Sequence, residues 1–214
     1  MKKTTKTIQI IKEHAINNQI PIIHDEVVSI LTYVIQNFNI KKILEIGTAT
    51  SYSAHIMASA GAHVWSIERH DERFSVAQQF VSQSEYKDFI HLIHDDALTH
   101  EIEIRDFDMI FIDAAKSQYI QFFEKYKHNL DSNGMIVVDN LNFHHLDPSK
   151  VKRHTRQLLK KLEKFKLFLA SNEDFITTIL PYGDGLSFSY KQYGLYANLK
   201  NVLDKFMNNE VMTK

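Results

Sequence analysis

Short apolar runs recur along the chain and alternate with longer segments of helical periodicity. The helical segments cover residues 50–60, 71–84 and 117–130. The apolar runs are rich in Ile, Val, Leu and Phe and cover residues 41–46, 62–67, 89–93, 107–112 and 134–138. Continuous apolar runs of this length are typical of strands buried on both faces. The alternation therefore predicts an α/β fold with right-handed crossovers and a doubly wound, parallel sheet.

Both ends of the chain depart from this alternation. Residues 5–17 and 24–37 predict two helices, broken at Pro21, before the first strand. Pro148 favours the start of a long helix over residues 149–169. Two alternating runs follow and are joined by the turn sequence PYGDG, which predicts an antiparallel hairpin on the sheet edge, over residues 175–180 and 186–191.

The same pattern predicts a helix in the C-terminal tail and a single domain. Residues 196–207 have the apolar spacing of a helix. Neither an internal repeat nor a linker interrupts the sequence, so we predict one domain over residues 1–214. Its parts are N-terminal helices, a core and a helical tail, in residues 1–38, 39–191 and 192–214.

The bulk composition narrows the class of protein. The chain has 214 residues, 44% of them hydrophobic, which is enough for one sizeable core. Apolar runs fall well short of the ~20 residues of a membrane span, and the basic N-terminus lacks the pattern of a signal peptide. We therefore expect a soluble, cytoplasmic protein without membrane contact. The sequence contains no cysteine, so a metal ion would be held by oxygen or imidazole ligands, and the net charge of −1 does not indicate a polyanionic partner.

The stretch KKILEIGTATSYS connects the first predicted strand to a helix. Glu45 closes that strand and Gly47 lies in the turn, where a glycine lets the backbone approach a ligand closely. The G-x-G-x-x-G spacing that binds a pyrophosphate is absent. The turn therefore favours a ligand with a nucleoside and without a diphosphate.

Acidic residues follow the next strands. Glu68 closes the second strand, where a carboxylate can accept hydrogen bonds from both ribose hydroxyls. Asp96 follows the third strand and Asp113 the fourth. Taken singly, each is more often a solvated loop residue or a helix cap. Together with Glu45 they make four acids at the ends of successive strands. Because ligands bind at the carboxyl edge of open parallel sheets, this succession favours a binding site.

A metal site is predicted at the same edge. The fifth strand, in GMIVVDN, ends on Asp139 and Asn140, and together with Asp113 these residues supply the hard oxygens that Mg²⁺ prefers. By itself, Asp-Asn is a common turn sequence. Lys116 lies one turn beyond Asp113, and a desolvated lysine beside a cation can act as a general base. The alternative is a surface lysine at a helix start, and the neighbouring acids favour the base.

Three motifs in this order, LEIGTATSYSA, FIDAAK and VVDN, resemble the metal-dependent class I O-methyltransferases, the family of the catechol and caffeoyl-coenzyme A methyltransferases. The resemblance covers roughly residues 20–191. It implies S-adenosylmethionine as cofactor and usually a homodimer. It also implies a Rossmann-like, seven-stranded, mostly parallel sheet with an antiparallel last strand and helices on both faces.

The resemblance assigns roles to individual residues. It implies that Glu68 binds the ribose, that Asp96 and Ala97 contact the adenine, and that Lys116 is the catalytic base. The turn around the methionine part of the cofactor would be formed by Glu45, Gly47, Ser51 and Ser53, and the metal ligands would be Asp113, Asp139 and Asn140. Ser51 departs from the glycine that is usual in the family, and we expect its Cβ to crowd the turn. The tail from Gln192 is also longer than the family pattern.

Within the family, FIDAAK, VVDN and the late stretch TTILPYGDGLSFSYK most resemble the bacterial tRNA 5-hydroxyuridine methyltransferases, which form 5-methoxyuridine at the wobble base. The hydroxyl and the O4 carbonyl of 5-hydroxyuridine are vicinal oxygens that can chelate Mg²⁺ as a catechol does. We therefore expect the anticodon region of tRNA as partner.

Local charge gives a second indication of RNA. Residues 150–166 contain many Lys and Arg residues and a single acid, Glu163, and such a helix could hold phosphates beside the site. A solvated face with Leu158, Leu159, Leu162 and Phe165 packed inward explains the run equally well. Phe143 and Tyr182 are candidates for base stacking, and His144 and His145 for phosphate contact, although packing and exposed loop positions are commoner for such residues.

Two alternatives to an RNA-modifying enzyme remain. A catechol-type methyltransferase for small molecules needs an enclosed apolar pocket, and the modest net charge slightly favours it. A nucleic-acid-binding protein without catalysis is disfavoured by the intact set of Asp113, Lys116, Asp139 and Asn140.

Overall fold

A seven-stranded sheet in the order β3-β2-β1-β4-β5-β7-β6 forms the centre of the computed structural model. The model describes residues 5–142, 150–191 and 199–212. The strands are Lys42–Ile46 (β1), His63–Glu68 (β2), Ile90–His94 (β3), Phe107–Ile112 (β4), Leu130–Val138 (β5), Ile176–Leu180 (β6) and Leu186–Tyr190 (β7). β1 to β5 pair in parallel, while β7 runs antiparallel to both of its neighbours. The predicted fold class, with its antiparallel last strand, is confirmed.

Helices cover both faces of the sheet. They are Lys6–Asn17 (α1), Asp25–Asn37 (α2), Tyr52–Ser59 (α3), Asp71–Ser82 (α4), Tyr119–Tyr126 (α5), Arg153–Ala170 (α6) and Leu199–Met212 (α7). One core lies between the sheet and α1 to α3 with α7, and the second lies between the sheet and α5 with α6. Because the central strands face a core on each side, Ile43, Leu44, Ile110 and Phe111 are all fully buried. This burial explains the continuous apolar runs in the sequence.

Some predicted boundaries were wrong. The helix expected over 117–130 is divided into a 3-10 turn, Lys116–Gln118, then α5, then a second 3-10 turn, Lys127–Asn129. The long helix begins at Arg153 and not at residue 149, because residues 150–152 form a turn and a bend. Residues 143–149 and 192–198 lie outside the described part of the chain, and the expectations for Phe143, His144, His145 and Pro148 lie there too.

The strand register aligns the ends that carry the predicted site. Ile46 on β1 pairs with Ile67 on β2 and Ile112 on β4, and Ile112 pairs with Val138 on β5. Asp113 and Asp139 each follow the paired residue, and their N–H groups donate to Ile46 and Ile112 carbonyls over 3.0 and 3.1 Å. The chain order reverses between β1 and β4, which is where open α/β sheets bind ligands. In the described residues, no helix has the length and apolarity that a membrane span requires.

Candidate active site

A cavity of about 360 Å³ opens at the carboxyl edge where β1 and β4 diverge. Its walls come from the turns that follow β1, β2, β3 and β4, and from the segment between α1 and α2. The volume is in the range of cavities that hold a small molecule or cofactor. Predicted site residues in its lining are Gly47, Ser53, Glu68, Asp96, Ala97, Asp113, Lys116 and Asn140.

Gly47 brings two turns together. Its φ of +103° lies in the region that favours glycine, and an added Cβ would collide with the backbone carbonyl of Asp113. Its N–H donates to the Ile67 carbonyl over 3.0 Å. Because Gly47 has no side chain, the turns that follow β1 and β4 can lie in contact and together line the cavity.

Substitution of Gly47 by alanine should destabilise the protein and weaken cofactor binding. Gly61 is a matched control, because its φ is +112° while its added Cβ would meet only the Lys41 Nζ, at 4.0 Å. We expect Gly47→Ala to lower the free energy of unfolding by about 1–3 kcal/mol more than Gly61→Ala. Urea denaturation and titration with S-adenosylmethionine measure both effects. Equal stability of the two variants would contradict the close approach at Gly47.

Glu45 lies beneath the cavity and does not contribute to its lining. Its side chain is fully buried, and its two carboxylate oxygens accept hydrogen bonds from Ser53, over 2.5 Å, and from Ser66, its partner in the β1–β2 register. Ser66 in turn shares a hydrogen bond of 2.5 Å with Thr48 in the cavity turn. Burial raises the pKa of Glu45 to about 8. Glu45 thus stabilises the turn through hydrogen bonds, directly with Ser53 and by way of Ser66 with Thr48. Of the four acids that were predicted to converge on one surface, Glu45 is the one that does not line the cavity.

The raised pKa of Glu45 predicts a pH-dependent stability. The folded protein keeps a proton on Glu45 that the unfolded chain releases above the ordinary value of 4.5, so rising pH favours unfolding. Between about pH 4.5 and pH 8, the free energy of unfolding should fall by up to about 1.4 kcal/mol per pH unit from this group. Glu45→Gln removes this contribution, whereas Glu72→Gln, at an exposed position, should leave the slope unchanged. Identical slopes in urea titrations of wild type and Glu45→Gln would refute the assignment.

Ser51 adopts the backbone conformation that explains why a glycine is usual there. Its φ is +65° and ψ is 19°, in the left-handed region, directly before α3. Its side chain is fully buried and lies outside the cavity lining, and the effect of its Cβ on cofactor affinity stays a prediction. The Ser51 carbonyl lies 2.8 Å from Nδ1 of His55, and burial lowers the pKa of that histidine.

The second and third strand ends carry the acids predicted for the nucleoside. Glu68 is nearly buried, and its two oxygens accept backbone N–H groups of Ala49 and His70, each over 2.9 Å. A carboxylate has about four acceptor sites, so sites for ribose hydroxyls remain. Asp96 accepts the Leu98 N–H over 2.8 Å and an Arg69 guanidinium N–H over 3.2 Å, and these contacts lower its pKa. Both acids are held in place by the protein before any ligand binds.

Two buried carboxylates and a lysine form the other end of the site. Burial raises the pKa of Asp113, and burial together with the charge of Asp113 raises the pKa of Asp139 to about 7. Burial lowers the pKa of Lys116, while Asp113, Asp139 and Asp184 oppose that shift. The Asn140 amide donates to Asp113 over 3.0 Å, and the Tyr119 hydroxyl donates to the Asp139 carbonyl over 2.9 Å. The predicted acids, amide and base therefore lie together at the ends of β4 and β5.

Asp113 and Asp139 are the two carboxylates of the predicted metal site. Across the described ranges, no group of three such residues is arranged to hold a metal ion. The remaining predicted ligand, Asn140, has its amide nitrogen turned towards Asp113. The predicted metal set thus consists of two carboxylates and one amide.

The sequence pattern did not indicate several residues in and around the cavity. The segment from Ile20 to Ile23 contributes an apolar wall, although only Pro21 stood out, as a break between helices. Arg69, just before α4, pairs with Asp96 over 3.2 Å, and Arg73, in the first turn of α4, also lines the cavity. Asp184, in the turn between β6 and β7, is near enough to influence Lys116. Each depends on contacts between distant parts of the chain, so no local pattern marks it.

The model of the O-methyltransferase family matches residues 3–192. The chain belongs to the O-methyltransferase family. The enzyme class predicted from the three motifs is therefore confirmed. Among curated relatives, the O-methyltransferase ankF of Aspergillus thermomutatus is 33% identical over 108 residues, which is 47% of this chain and 45% of that protein. The chain thus spans just under half of that relative. A second relative, a protein of Arabidopsis thaliana provisionally named caffeoyl-CoA O-methyltransferase, is 28% identical, and the match covers 73% of this chain and 72% of that protein.

Solved structures agree with this assignment. A Staphylococcus aureus protein, provisionally assigned as a caffeoyl-CoA O-methyltransferase, is 32% identical and superimposes with a TM-score of 0.81, over 87% of this chain and 93% of that one. The O-methyltransferase TomG of Streptomyces achromogenes, solved in complex with S-adenosylmethionine, has a TM-score of 0.76 at 19% identity, over 88% of this chain and 91% of its own. The second likeness concerns the fold alone.

Proposed function

We propose that this O-methyltransferase uses S-adenosylmethionine and Mg²⁺ to methylate 5-hydroxyuridine at the wobble position of tRNA, giving 5-methoxyuridine. The observation that carries the proposal is the position of Lys116 beside two buried carboxylates, Asp113 and Asp139, next to the cavity. A base, acidic ligands and a cofactor cavity are what methyl transfer to an acidified hydroxyl needs.

The cavity suits the proposed cofactor in the types of group it presents. Glu68 offers carboxylate oxygens to ribose hydroxyls, and Asp96 with Ala97 lies at the end expected for adenine. The Gly47 turn lets the ligand approach the backbone closely at the opposite end, near Asp113. TomG, which shares the fold, binds S-adenosylmethionine in its structure. These features favour S-adenosylmethionine over a dinucleotide.

The residues at the ends of β4 and β5 fit a divalent cation. Asp113 and Asp139 are buried together, and the raised pKa values mean that two negative charges there are poorly compensated by Lys116 alone. Asp113, Asp139 and Asn140 would hold the ion, provided that the Asn140 amide turns its oxygen inward from its hydrogen bond to Asp113. A bound divalent cation would make the substrate hydroxyl more acidic.

The protein's own side chains supply proton transfer and orientation. Lys116, with its pKa lowered by burial, accepts the proton of the substrate hydroxyl. The oxygen then bonds to the methyl carbon while the carbon–sulfur bond breaks, and its electron pair stays on sulfur as S-adenosylhomocysteine leaves. The Asp139 backbone is held by the Tyr119 hydroxyl, which fixes the carboxylate relative to Lys116. Most of the catalytic effect thus comes from positioning and charge.

The basic face of α6 supports an RNA substrate. Helix α6 packs against the 3-10 turn that carries Lys116, and its Leu162, Phe165 and Leu169 are buried. Exposed cations occur on α6 at Arg153, Arg156, Lys160, Lys161 and Lys164, and just before it at Lys150 and Lys152. Cations concentrated on one helix next to the base are suited to hold backbone phosphates while a wobble base enters the site. We retain the anticodon region, the homodimer and a cytoplasmic location as parts of the proposal.

A small catechol-type acceptor is the second candidate, and the relatives favour it. The Arabidopsis and Staphylococcus proteins are both named after caffeoyl-CoA. The vicinal hydroxyls of a catechol ring present the same pair of oxygens as 5-hydroxyuridine, so the same base and acids would serve.

Methyl transfer to two acceptors tests the proposal. The purified protein is incubated with S-adenosylmethionine and Mg²⁺, and either tRNA containing 5-hydroxyuridine or a simple catechol, each with and without EDTA. Nucleoside mass spectrometry detects 5-methoxyuridine, and product mass detects the methylated catechol. EDTA-sensitive 5-methoxyuridine with little catechol turnover is the expected result. Efficient catechol methylation with unmodified tRNA would replace the RNA substrate by the second candidate.

A further inference from the structure

Helix α7 lies beyond the residues that match the family model. The match ends at residue 192, and α7 covers Leu199–Met212. Its side chains at i, i+4 and i+8, Leu199, Leu203 and Met207, are buried at 1%, 0% and 4% exposure in the core between the sheet and α2. Helix α7 is therefore an integral part of the folded structure.

The turn between β6 and β7, residues 181–185, which we call the hairpin turn, packs on the same core as α7. Phe206 of α7 stacks on Tyr33 of α2, with ring centroids 4.1 Å apart. Tyr182 of the hairpin turn packs on the same core, and burial together with the charges of Asp204 and Glu26 raises its pKa. Helix α7 therefore packs on α2, and Tyr182 of the hairpin turn packs on the same core.

Helix α2 fixes the hairpin turn directly. The Gly183 N–H donates to Glu26 Oε2 over 2.9 Å, and His24 Nε2 lies 3.7 Å from Asp184 Oδ2. The fit is tight, because a Cβ on Gly183 would lie 2.8 Å from Cγ2 of Val27. Movement of α2 would therefore be transmitted to the hairpin turn.

On its other side, the hairpin turn joins the segment that follows the predicted metal ligands. The N–H groups of Leu141 and Asn142 donate to the carbonyls of Gly185 and Asp184, over 2.9 and 2.5 Å. Asp184 is close enough to influence both Lys116 and Asp139 electrostatically. None of residues 181–185 lines the cofactor cavity. The hairpin turn thus belongs to the acceptor side of the site.

We propose that α7 is a positioning element for the methyl acceptor: packed on α2, which contacts the hairpin turn, it keeps that turn against the segment that follows Asp139 and Asn140. Substrate selection would then depend on a helix outside the family match. The inference rests on the proposed function in needing an acceptor site at Lys116, but not on the identity of the acceptor.

Two substitutions in α7 test the proposal. Leu203→Ala removes a buried contact, and Phe206→Ala removes the stack on Tyr33 from a partly buried position. Lys205→Ala, at an exposed position of the same helix, is the matched control. We expect both test variants to raise the KM for the acceptor roughly tenfold and to leave the dissociation constant of S-adenosylmethionine unchanged. Lys205→Ala should match wild type in both constants.

Amide hydrogen exchange provides a readout that does not depend on turnover. The N–H groups of Gly183 and Asn142 should exchange faster in the test variants than in wild type and Lys205→Ala, because their bonds hold the hairpin turn in place. Unchanged protection, an unchanged acceptor KM, or equal losses of acceptor and cofactor binding would overturn the proposal.

The failure of the proposed function would look different. If wild type methylates catechol and not tRNA, the proposed RNA substrate fails, and the α7 variants are measured with catechol. If wild type methylates neither, the proposed function fails, and the exchange rates of Gly183 and Asn142 alone decide whether α7 holds the turn.

Discussion

Replacement of Asp139 by alanine should abolish methyl transfer, with a loss of kcat of about a thousandfold. Asp139 is 1% exposed at the end of β5, and the substitution removes one of two carboxylates available to a metal ion at this edge. Asp139→Asn, which preserves volume, should lose activity similarly and should bind Mg²⁺ more weakly in calorimetric titrations. Asp174→Ala, at an exposed position, is the control and should behave as wild type.

Stability should respond in the opposite direction to activity. The pKa of about 7 at Asp139 means that its ionised form is disfavoured in the folded protein. Without divalent cations, Asp139→Asn should therefore be at least as stable as wild type at pH 8, because it removes a poorly compensated buried charge. A stable, inactive variant identifies a functional carboxylate. Wild-type turnover in Asp139→Ala would refute its assignment as a ligand.

The strands could be predicted from the sequence because burial on both faces produces continuous apolar runs. The start of β5 could not, since it extends back to Leu130 through the polar residues 131–133. Leu130 pairs with Phe107, and the register shifts before Met109 pairs with Met135. Backbone pairing can extend a strand beyond its apolar core, and a hydrophobicity pattern does not contain that information.

The cavity lining was predicted where a simple rule applied, and was missed where it depended on strand register. Glu68, Asp96 and Asp113 line the cavity because each lies at or just after a strand end. Glu45 lies within β1, with one more strand residue after it, and pairs with Ser66. Its position beneath the cavity follows from that pairing, which the sequence alone does not show.

Contacts between segments that are distant in the sequence could not be predicted from the sequence either. The bond between Gly183 and Glu26 joins residues 157 positions apart. The sequence PYGDG predicts a turn correctly, but not that the turn lies between α2 and the end of β5. Such contacts depend on the packing of whole elements, so local rules predict the turn and not its neighbours.

Lys116→Arg should lose methyl transfer by about 10²–10⁴-fold while preserving the positive charge. Burial holds the pKa of Lys116 below the ordinary value of 10.5, so a neutral amine is accessible to accept the substrate proton. Arginine stays protonated at any pH at which the protein is folded and cannot take this role. Because the charge beside Asp113 and Asp139 remains, the loss isolates proton transfer from electrostatics.

The pH dependence of the rate separates the two roles further. In wild type, kcat should rise with pH as Lys116 loses its proton, and the rise should occur below pH 10.5 because the pKa is lowered. In Lys116→Arg this rise should be absent, whereas Lys161→Arg, on the exposed face of α6, should keep it. A Lys116→Arg enzyme with near-wild-type turnover would show that the charge alone is needed. Lys116 would then only orient the acceptor.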